Sequence, residues 1–118
     1  MSAFRFEDLK IWQVSLELAD EMLDIADEVS NLKLYRFAEQ LRGASMSISN
    51  NIAEGSGSFS NKDFANYLAI ARKSTFECAN IVFLLNRRKL IKDSTKERLF
   101  KELAALSSQI TNFRKTLI

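Results

Sequence analysis

The side chains best suited to chemistry form a run of seven basic residues in the last third of the chain. Lysine and arginine hold phosphate groups by charge alone, so such a run is typical of a nucleic-acid contact. Asp93 and Glu97 are the only acidic residues within this run. The alternative is a solvated surface, with some cations stabilising the C-terminus of a helix. The run consists of Arg87, Arg88, Lys89, Lys92, Lys96, Arg98 and Lys101.

The sequence contains little that could support catalysis. It has no histidine, which removes the usual general base near neutral pH and the commonest metal ligand. A single cysteine, Cys78, allows neither an intrachain disulfide nor a thiolate zinc cluster. Glu77 has no evident partner acid for general acid–base work. We therefore predict a non-enzymatic protein with no cofactor, no metal and no small-molecule substrate.

The elements that position these residues are predicted to be helices. The 118 residues are 47% hydrophobic and contain no proline and three glycines, so the turn residues that hairpins need are missing. Ser60 and Ser94 resemble helix N-caps, the latter opening a capping box with Glu97. Gly55 fits a left-handed residue that ends a helix. The predicted helices cover residues 7–29, 34–54, 61–89 and 95–116.

Apolar residues in the last three predicted helices recur at steps of three and four, which is the spacing of bundle packing. The connections are short, so neighbouring helices should be antiparallel. We predict an all-α protein with one domain over residues 1–118, folded as an antiparallel up-and-down four-helix bundle.

The first predicted helix carries two apolar stripes that together cover about 200° of its circumference, whereas a surface helix usually buries little more than about 100°. Either this helix is unusually central, or its second stripe contacts another chain. We favour the second interpretation because monomers rarely expose large apolar patches. The predicted interface of this homo-oligomer comprises Ile11, Val14, Leu18, Met22 and Ile25.

The net charge of +2 hides a division along the chain. Residues 1–29 carry two basic and eight acidic side chains, whereas residues 30–118 carry 15 basic and seven acidic ones. One face or end is therefore expected to be acidic and another basic. No apolar run approaches the roughly 20 residues needed to span a bilayer, and the N-terminus lacks the layout of a signal peptide. We expect a cytoplasmic protein without a membrane partner.

Three segments taken together resemble a known family. They are residues 6–13, residues 40–55 and residues 64–74, and the Asn-Ile-Ala-Glu-Gly stretch at residues 51–55 belongs to the most specific of them. In this order they resemble the bacterial four-helix bundle proteins encoded in intervening sequences of 23S ribosomal RNA genes. The chain is more distantly similar to the accessory variability protein of diversity-generating retroelements.

The resemblance implies an antiparallel four-helix bundle that assembles as a homopentameric ring. It implies no enzymatic activity, and it leaves open whether the protein is an interaction scaffold or an accessory protein that binds RNA or a nucleoprotein. The residues on which the family motif falls, with an implied structural role, are Leu9, Trp12, Arg42, Asn51, Glu54 and Gly55.

Glu54 lies near the predicted end of the second helix, where the helix dipole disfavours a negative charge. We expect it to have a partner, such as the start of the third helix near Ser60 or a cation at Arg42 or Arg72. The alternative is a role in binding a ligand or RNA. The serines around it either permit close helix packing or line a polar pocket.

Base-specific RNA reading normally requires exposed aromatic rings. Tyr35 and Phe59 are two aromatic residues that we expect to be exposed, and they alone give little support to base-specific reading. The aromatic residues on core stripes are Trp12, Phe37, Phe64 and Phe113.

Overall fold

The computed structural model describes residues 2–118 and contains four long helices. They are α1 (Lys10–Asn31), α2 (Tyr35–Ser56), α3 (Asn61–Arg87) and α4 (Asp93–Lys115), and a short 3-10 helix over Arg5–Asp8 precedes α1. No strand occurs in the described residues. The prediction of an all-α, single-domain, four-helix protein is confirmed.

Each helix packs against the next helix along the chain, and α4 returns to α1 through a smaller contact. The connections are only three, four and five residues long, so the chain reverses direction at each of them. The resulting bundle measures 43 × 24 × 23 Å. The contact between α1 and α4 is the smallest of the four between neighbouring helices, and a groove lies between these two helices.

Both apolar stripes of α1 are used inside the protomer. Ile11, Leu18, Met22 and Ile25 are buried in the chain's own core, with no more than 7% of their surface exposed, and Val14 is half-buried. These four buried side chains have almost no surface left for a second subunit. The structure therefore supports the interpretation that α1 is central in the bundle. Because the four buried side chains are already covered within the protomer, we expect any subunit interface to lie elsewhere on the surface.

In two of the three connections, a lysine shortly after the end of the helix adopts the left-handed conformation. Lys33 has a φ of 65° and Lys89 a φ of 61°. At the first, the Leu34 amide donates to the Val29 carbonyl at 3.2 Å, and at the second, the Leu90 amide donates to Leu85 at 2.9 Å. These are the long bonds of a Schellman motif, which tightens the turn after a helix.

The predicted helix ends are corrected at several positions. The segment before Lys10 forms the 3-10 helix rather than the first turn of α1. Gly55 is not a left-handed terminator, because it is buried inside α2, which continues to Ser56. α4 begins at Asp93, so the capping box predicted from Ser94 does not form. The Ser60 cap is confirmed, since its hydroxyl accepts a bond from the Asp63 amide at 3.1 Å.

Candidate nucleic-acid interface

The turn between α3 and α4 holds four of the seven predicted phosphate-binding residues. Arg87 ends α3, Arg88 and Lys89 follow it, and Lys92 immediately precedes α4. All four side chains are exposed, and none of the ion pairs among residues 2–118 includes them. The turn therefore concentrates four cations at one end of the bundle, which we call the basic turn.

The other three predicted residues lie on α4 but do not share a face. At about 100° per residue, Lys96, Arg98 and Lys101 diverge around the helix. The Lys96 ammonium sits over rings on the α3 side, Arg98 pairs with α1, and Lys101 is exposed. The seven residues therefore do not form one continuous rim, because only Lys101 adds an unpaired cation to those of the basic turn.

Arg98 serves the fold by binding Glu21 across the α1–α4 contact. Its Nη1 donates to Glu21 Oε2 at 2.8 Å and its Nη2 donates to Oε1, and Glu102 lies 3.6 Å away on the same helix. The hydrogen bonds from Arg98 lower the pKa of Glu21 and raise that of the guanidinium. A guanidinium held in this way by two oxygens is less available to a phosphate.

Acidic residues of α1 share a groove with part of the basic turn. The groove has a volume of about 730 Å³ and lies between α1 and the α3–α4 connection. Lys89 and Lys92 line it together with the carboxylates of Asp24, Glu28 and Asp93. The acidic face of α1 therefore turns partly toward the basic turn of the same chain, and it reduces the positive potential there.

The structure exposes two aromatic side chains that the sequence pattern did not single out. Phe76 and Phe83 are 55% and 41% exposed, and both lie on the side of α3 that faces α4. Both residues lie outside the core stripe of α3. Because they are seven residues apart, they lie on the same face of the helix. That offset, together with the basic Arg72 one turn before Phe76, is the signal that could have identified them.

Arg42 ties α2 to α1. Its guanidinium bonds Asp27 of α1 at 3.0 Å and Glu39 of its own helix at 3.0 Å. These hydrogen bonds, that to Asp27 above all, raise the pKa of Arg42. The Arg42–Asp27 ion pair is largely exposed, so it contributes little to stability, and its main effect is on how α1 and α2 pack.

Asn51 belongs to a polar link between α2 and α3. Its side-chain amide donates to the Ser47 carbonyl at 2.7 Å and to the Ser47 hydroxyl at 3.0 Å. The same hydroxyl accepts a bond of 2.8 Å from Ser74 on α3. This chain of hydrogen bonds fixes the register of the two helices at a point where their backbones lie close together.

Two further residues of the family motif, Leu9 and Trp12, pack against apolar side chains at the start of α1, whereas a third, Glu54, does not. Leu9 is the N-cap of α1 and packs on the core, and Trp12 contacts Phe6 with ring centroids 4.8 Å apart and ring planes inclined at 54°. Glu54 is exposed and has no side-chain hydrogen bond or ion pair within residues 2–118. The partner expected for Glu54 near Ser60 or at a neighbouring arginine is therefore absent there.

The buried serines of α2 do not form a polar pocket. Ser45, Ser49 and Ser56 each donate to a backbone carbonyl three residues earlier in their own helix. No buried side-chain oxygen or nitrogen among residues 2–118 lacks a hydrogen-bond partner. Small residues with self-satisfied hydroxyls allow the helices to approach closely, which is the structural interpretation of this segment.

Cys78 is fully buried, and the described residues contain no cluster of acidic or cysteine side chains able to hold a metal ion. Burial, with a smaller effect of the neighbouring Glu77, raises the pKa of the Cys78 thiol to about 12. The thiol is therefore protonated and inert in the folded protein. Within the same part of the chain, no helix is long and apolar enough to cross a membrane.

The fold and this surface define a small antiparallel four-helix bundle in which the described residues form no metal-binding cluster. The model of the 23S rRNA-intervening sequence protein family matches residues 7–112, and the chain belongs to that family. Among curated proteins, no match was found.

A solved structure extends this comparison. The chain is similar to the crystal structure of a protein of unknown function from the S23 ribosomal protein family of Bacteroides thetaiotaomicron. The two share 25% sequence identity and superpose with a TM-score of 0.84, over 89% of this chain and 98% of that chain. The similarity therefore extends over most of the bundle.

Proposed function

We propose that the protein is a non-enzymatic interaction protein that works as a homo-oligomeric scaffold. The observation that carries this proposal is the placement of exposed hydrophobic side chains. Of the eleven large ones, six lie on α2 and α3, one on α1 and none on α4. Single exposed apolar residues are ordinary, but their concentration on two neighbouring helices is typical of an interface. Four of these six, Tyr35, Met46, Ile70 and Leu84, are assigned to this interface, whereas Phe76 and Phe83 lie on the side of α3 that faces α4.

Part of this surface is a groove between α2 and α3. Two adjoining hollows of about 630 and 340 Å³ share Arg36, Gln40 and Glu77 in their walls. Tyr35 lines one hollow and Leu84 the other, and both side chains are more than 40% exposed. We call this the α2–α3 groove. It offers a concave surface in which apolar side chains are flanked by charges of both signs, and such a surface suits an amphipathic helix of another subunit.

The charge division of the chain favours contacts between unlike surfaces. α1 carries five exposed acids, more than any other helix, whereas the basic turn lies at the end of α3. Contacts between two different surfaces generate a closed ring when the rotation closes. Such a ring agrees with the pentamer that the family resemblance implies.

The test is the mass of the native protein in solution, measured by light scattering at concentrations from 1 to 100 μM. We expect a multiple of 13.5 kDa for the wild type. Leu84→Glu, which places a charge in the α2–α3 groove, should shift the mass toward the monomer. Gln109→Glu on the exposed face of α4 is the matched control. A wild-type monomer at 100 μM would contradict the proposal.

A second candidate function is RNA binding by the basic turn. It is favoured by the four exposed cations of that turn, which no carboxylate within the described chain neutralises at ion-pair distance. Phosphate contacts of this kind release counterions, so affinity should fall steeply with salt. We expect binding to labelled structured RNA that remains micromolar near 150 mM salt.

The double variant Arg87→Ala/Arg88→Ala tests this candidate. Each lost phosphate contact makes the plot of log K against log salt shallower by roughly 0.7 to 0.9. Lys115→Ala removes an exposed cation from the opposite end of α4 and serves as the control. An unchanged slope in the double variant would exclude the basic turn as the RNA contact.

A further inference from the structure

Aromatic rings and cations, some exposed and some half-buried, alternate along one side of the α3–α4 contact. The Arg72 guanidinium lies over the Phe76 ring at 5.0 Å, and the Lys96 ammonium lies 5.1 Å from the Phe83 ring and 5.2 Å from the Phe100 ring. The Phe83 and Phe100 rings are nearly parallel, with an angle of 22° and centroids 6.1 Å apart. We call these five residues the aromatic–basic strip.

A narrow apolar groove opens in the middle of this strip. Its volume is about 210 Å³, and Phe76 and Phe100 form two of its walls. The small side chains of Ala79, Ala104 and Ser107 leave the space between the rings open. A flat apolar group could therefore enter from solvent and lie against an aromatic face.

The charges beside the groove are predominantly positive. Arg72 and Lys96 flank the two ends of the strip. The one carboxylate paired with these cations is Glu97, whose oxygen lies 3.4 Å from the Lys96 ammonium. A partner that fits this strip must combine flat apolar rings with repeated negative charge.

We propose that the aromatic–basic strip binds single-stranded nucleic acid, with bases stacked on Phe76 and Phe83 and phosphates held by Arg72 and Lys96. The proposal deepens the second candidate function, and adds to it a contact made through rings rather than through the basic turn. Stacking positions the strand irrespective of base identity, because every base has a π-face.

The cations that now cover the rings do not prevent this binding. The Arg72–Phe76 contact is exposed, and an exposed cation–π contact is weaker than the stacking of a base on an aromatic side chain. A base therefore displaces the Arg72 guanidinium from the Phe76 ring. The released cation then pairs with the phosphate that arrives with the base.

The spacing of the rings selects a single strand over a duplex. Phe76 and Phe83 are separated by two helical turns, about 10.5 Å along α3. Neighbouring bases in a duplex strand are stacked about 3.4 Å apart, and their faces are covered. Only a strand with unstacked bases can place separate bases on both rings.

The strip lies on a different side of α3 from the α2–α3 groove. Phe76 and Leu84 are eight residues apart, which separates their directions by about 80° around the helix. Leu84 lines the groove with residues of α2, whereas Phe76 lines a groove with residues of α4. Subunit assembly and strand binding can therefore occupy separate surfaces of the same protomer.

The test measures binding of labelled 12-nucleotide oligouridine, oligothymidine and an RNA duplex to the native protein. We expect both single strands to bind at least tenfold more tightly than the duplex. Phe76→Leu/Phe83→Leu keeps the apolar volume but removes the rings, and it should lower single-strand affinity at least tenfold without changing the salt slope. Phe59→Leu, in the exposed loop before α3, is the matched control.

A positive signal comes from Phe76→Trp, whose fluorescence should be quenched when oligouridine binds. Equal affinity of the double leucine variant and the wild type would overturn the proposal, as would preference for the duplex. A fall of the native mass in the leucine variant would also overturn it, because the rings would then be a subunit contact. If Arg87→Ala/Arg88→Ala weakens binding and the double leucine variant does not, the basic turn is the RNA contact and the proposal for the strip is wrong. If the double leucine variant weakens binding and Arg87→Ala/Arg88→Ala does not, the strip is the contact and the basic turn is excluded.

Discussion

Gly55 and Tyr67 lie so close together that a methyl group on Gly55 would come within 2.6 Å of the Tyr67 Cβ and 2.9 Å of the Phe64 ring. Gly55 is buried inside α2, and both neighbours belong to α3. The missing side chain is therefore what allows the two helices to approach at this end of the bundle. This explains the place of Gly55 in the family motif better than a helix-terminating role.

Gly55→Ala is expected to destabilise the protein by about 1–2 kcal/mol, because overpacking outweighs the gain in helix propensity. Gly43, on the exposed face of the same helix, has no atom within 4 Å of an added Cβ. Gly43→Ala should therefore stabilise the protein by about 0.5–1 kcal/mol. Denaturant unfolding of both variants measures the difference. Two shifts of the same sign would show that Gly55 does not set the helix separation.

The number and order of the helices followed from the sequence because composition and apolar spacing act locally. A chain without proline, with apolar residues at steps of three and four, has few alternatives to long helices. The ends of the helices were less predictable from the sequence. Gly55 resembles a terminator in sequence, yet its position against Tyr67 is a tertiary contact that no local pattern reveals.

The candidate surface was only partly predictable for the same reason. The basic residues are adjacent in sequence, but Arg98 faces Glu21 and Lys96 faces Phe83, and these relations depend on which helices pack together. The apolar stripe of α1 was visible, but whether the protomer or a second subunit covers it depends on the closure of the bundle. Phe76 was missed because its position off the core stripe of α3 does not by itself show whether the ring is exposed, which depends on how α3 packs against α4.

The bond between Arg98 and Glu21 predicts a pH-dependent stability. The pKa of Glu21 is lowered below the ordinary value of 4.5, so its contribution is present at neutral pH and is lost as the pH falls through the lowered value. Glu21→Gln should destabilise the protein by roughly 0.5 kcal/mol at pH 7, since the pair is partly exposed. The difference from wild type should disappear near pH 3.

Denaturant unfolding at pH 7, 5 and 3 measures this effect. Glu17→Gln, on the same helix and exposed, is the control and should behave as wild type at every pH. A difference between Glu21→Gln and wild type that stays constant down to pH 3 would contradict the ionic contribution of the pair.

Lys33 predicts a stabilising substitution in the α1–α2 turn. Its φ of 65° is unfavourable for a residue with a Cβ but costs glycine nothing. Lys33→Gly should therefore raise the free energy of unfolding by about 0.5–1 kcal/mol. Lys73→Gly within α3 should lower it by about 1 kcal/mol. Calorimetry of the two variants checks the signs, and a loss of stability in Lys33→Gly would refute the assignment of conformational strain to this turn.

Cys78 predicts that the folded protein resists thiol reagents. The side chain is fully buried and its pKa is raised to about 12, so at pH 8 the native state offers neither access nor thiolate. Labelling then proceeds only through opening of the bundle, and it should be at least about 1,000-fold slower than in denaturant. A Ser108→Cys/Cys78→Ala variant places the thiol on the exposed face of α4 and should react at nearly the unfolded rate. Native labelling of Cys78 within tenfold of the unfolded rate would mean that α3 opens locally, and the aromatic–basic strip on the same helix would then not be rigidly held.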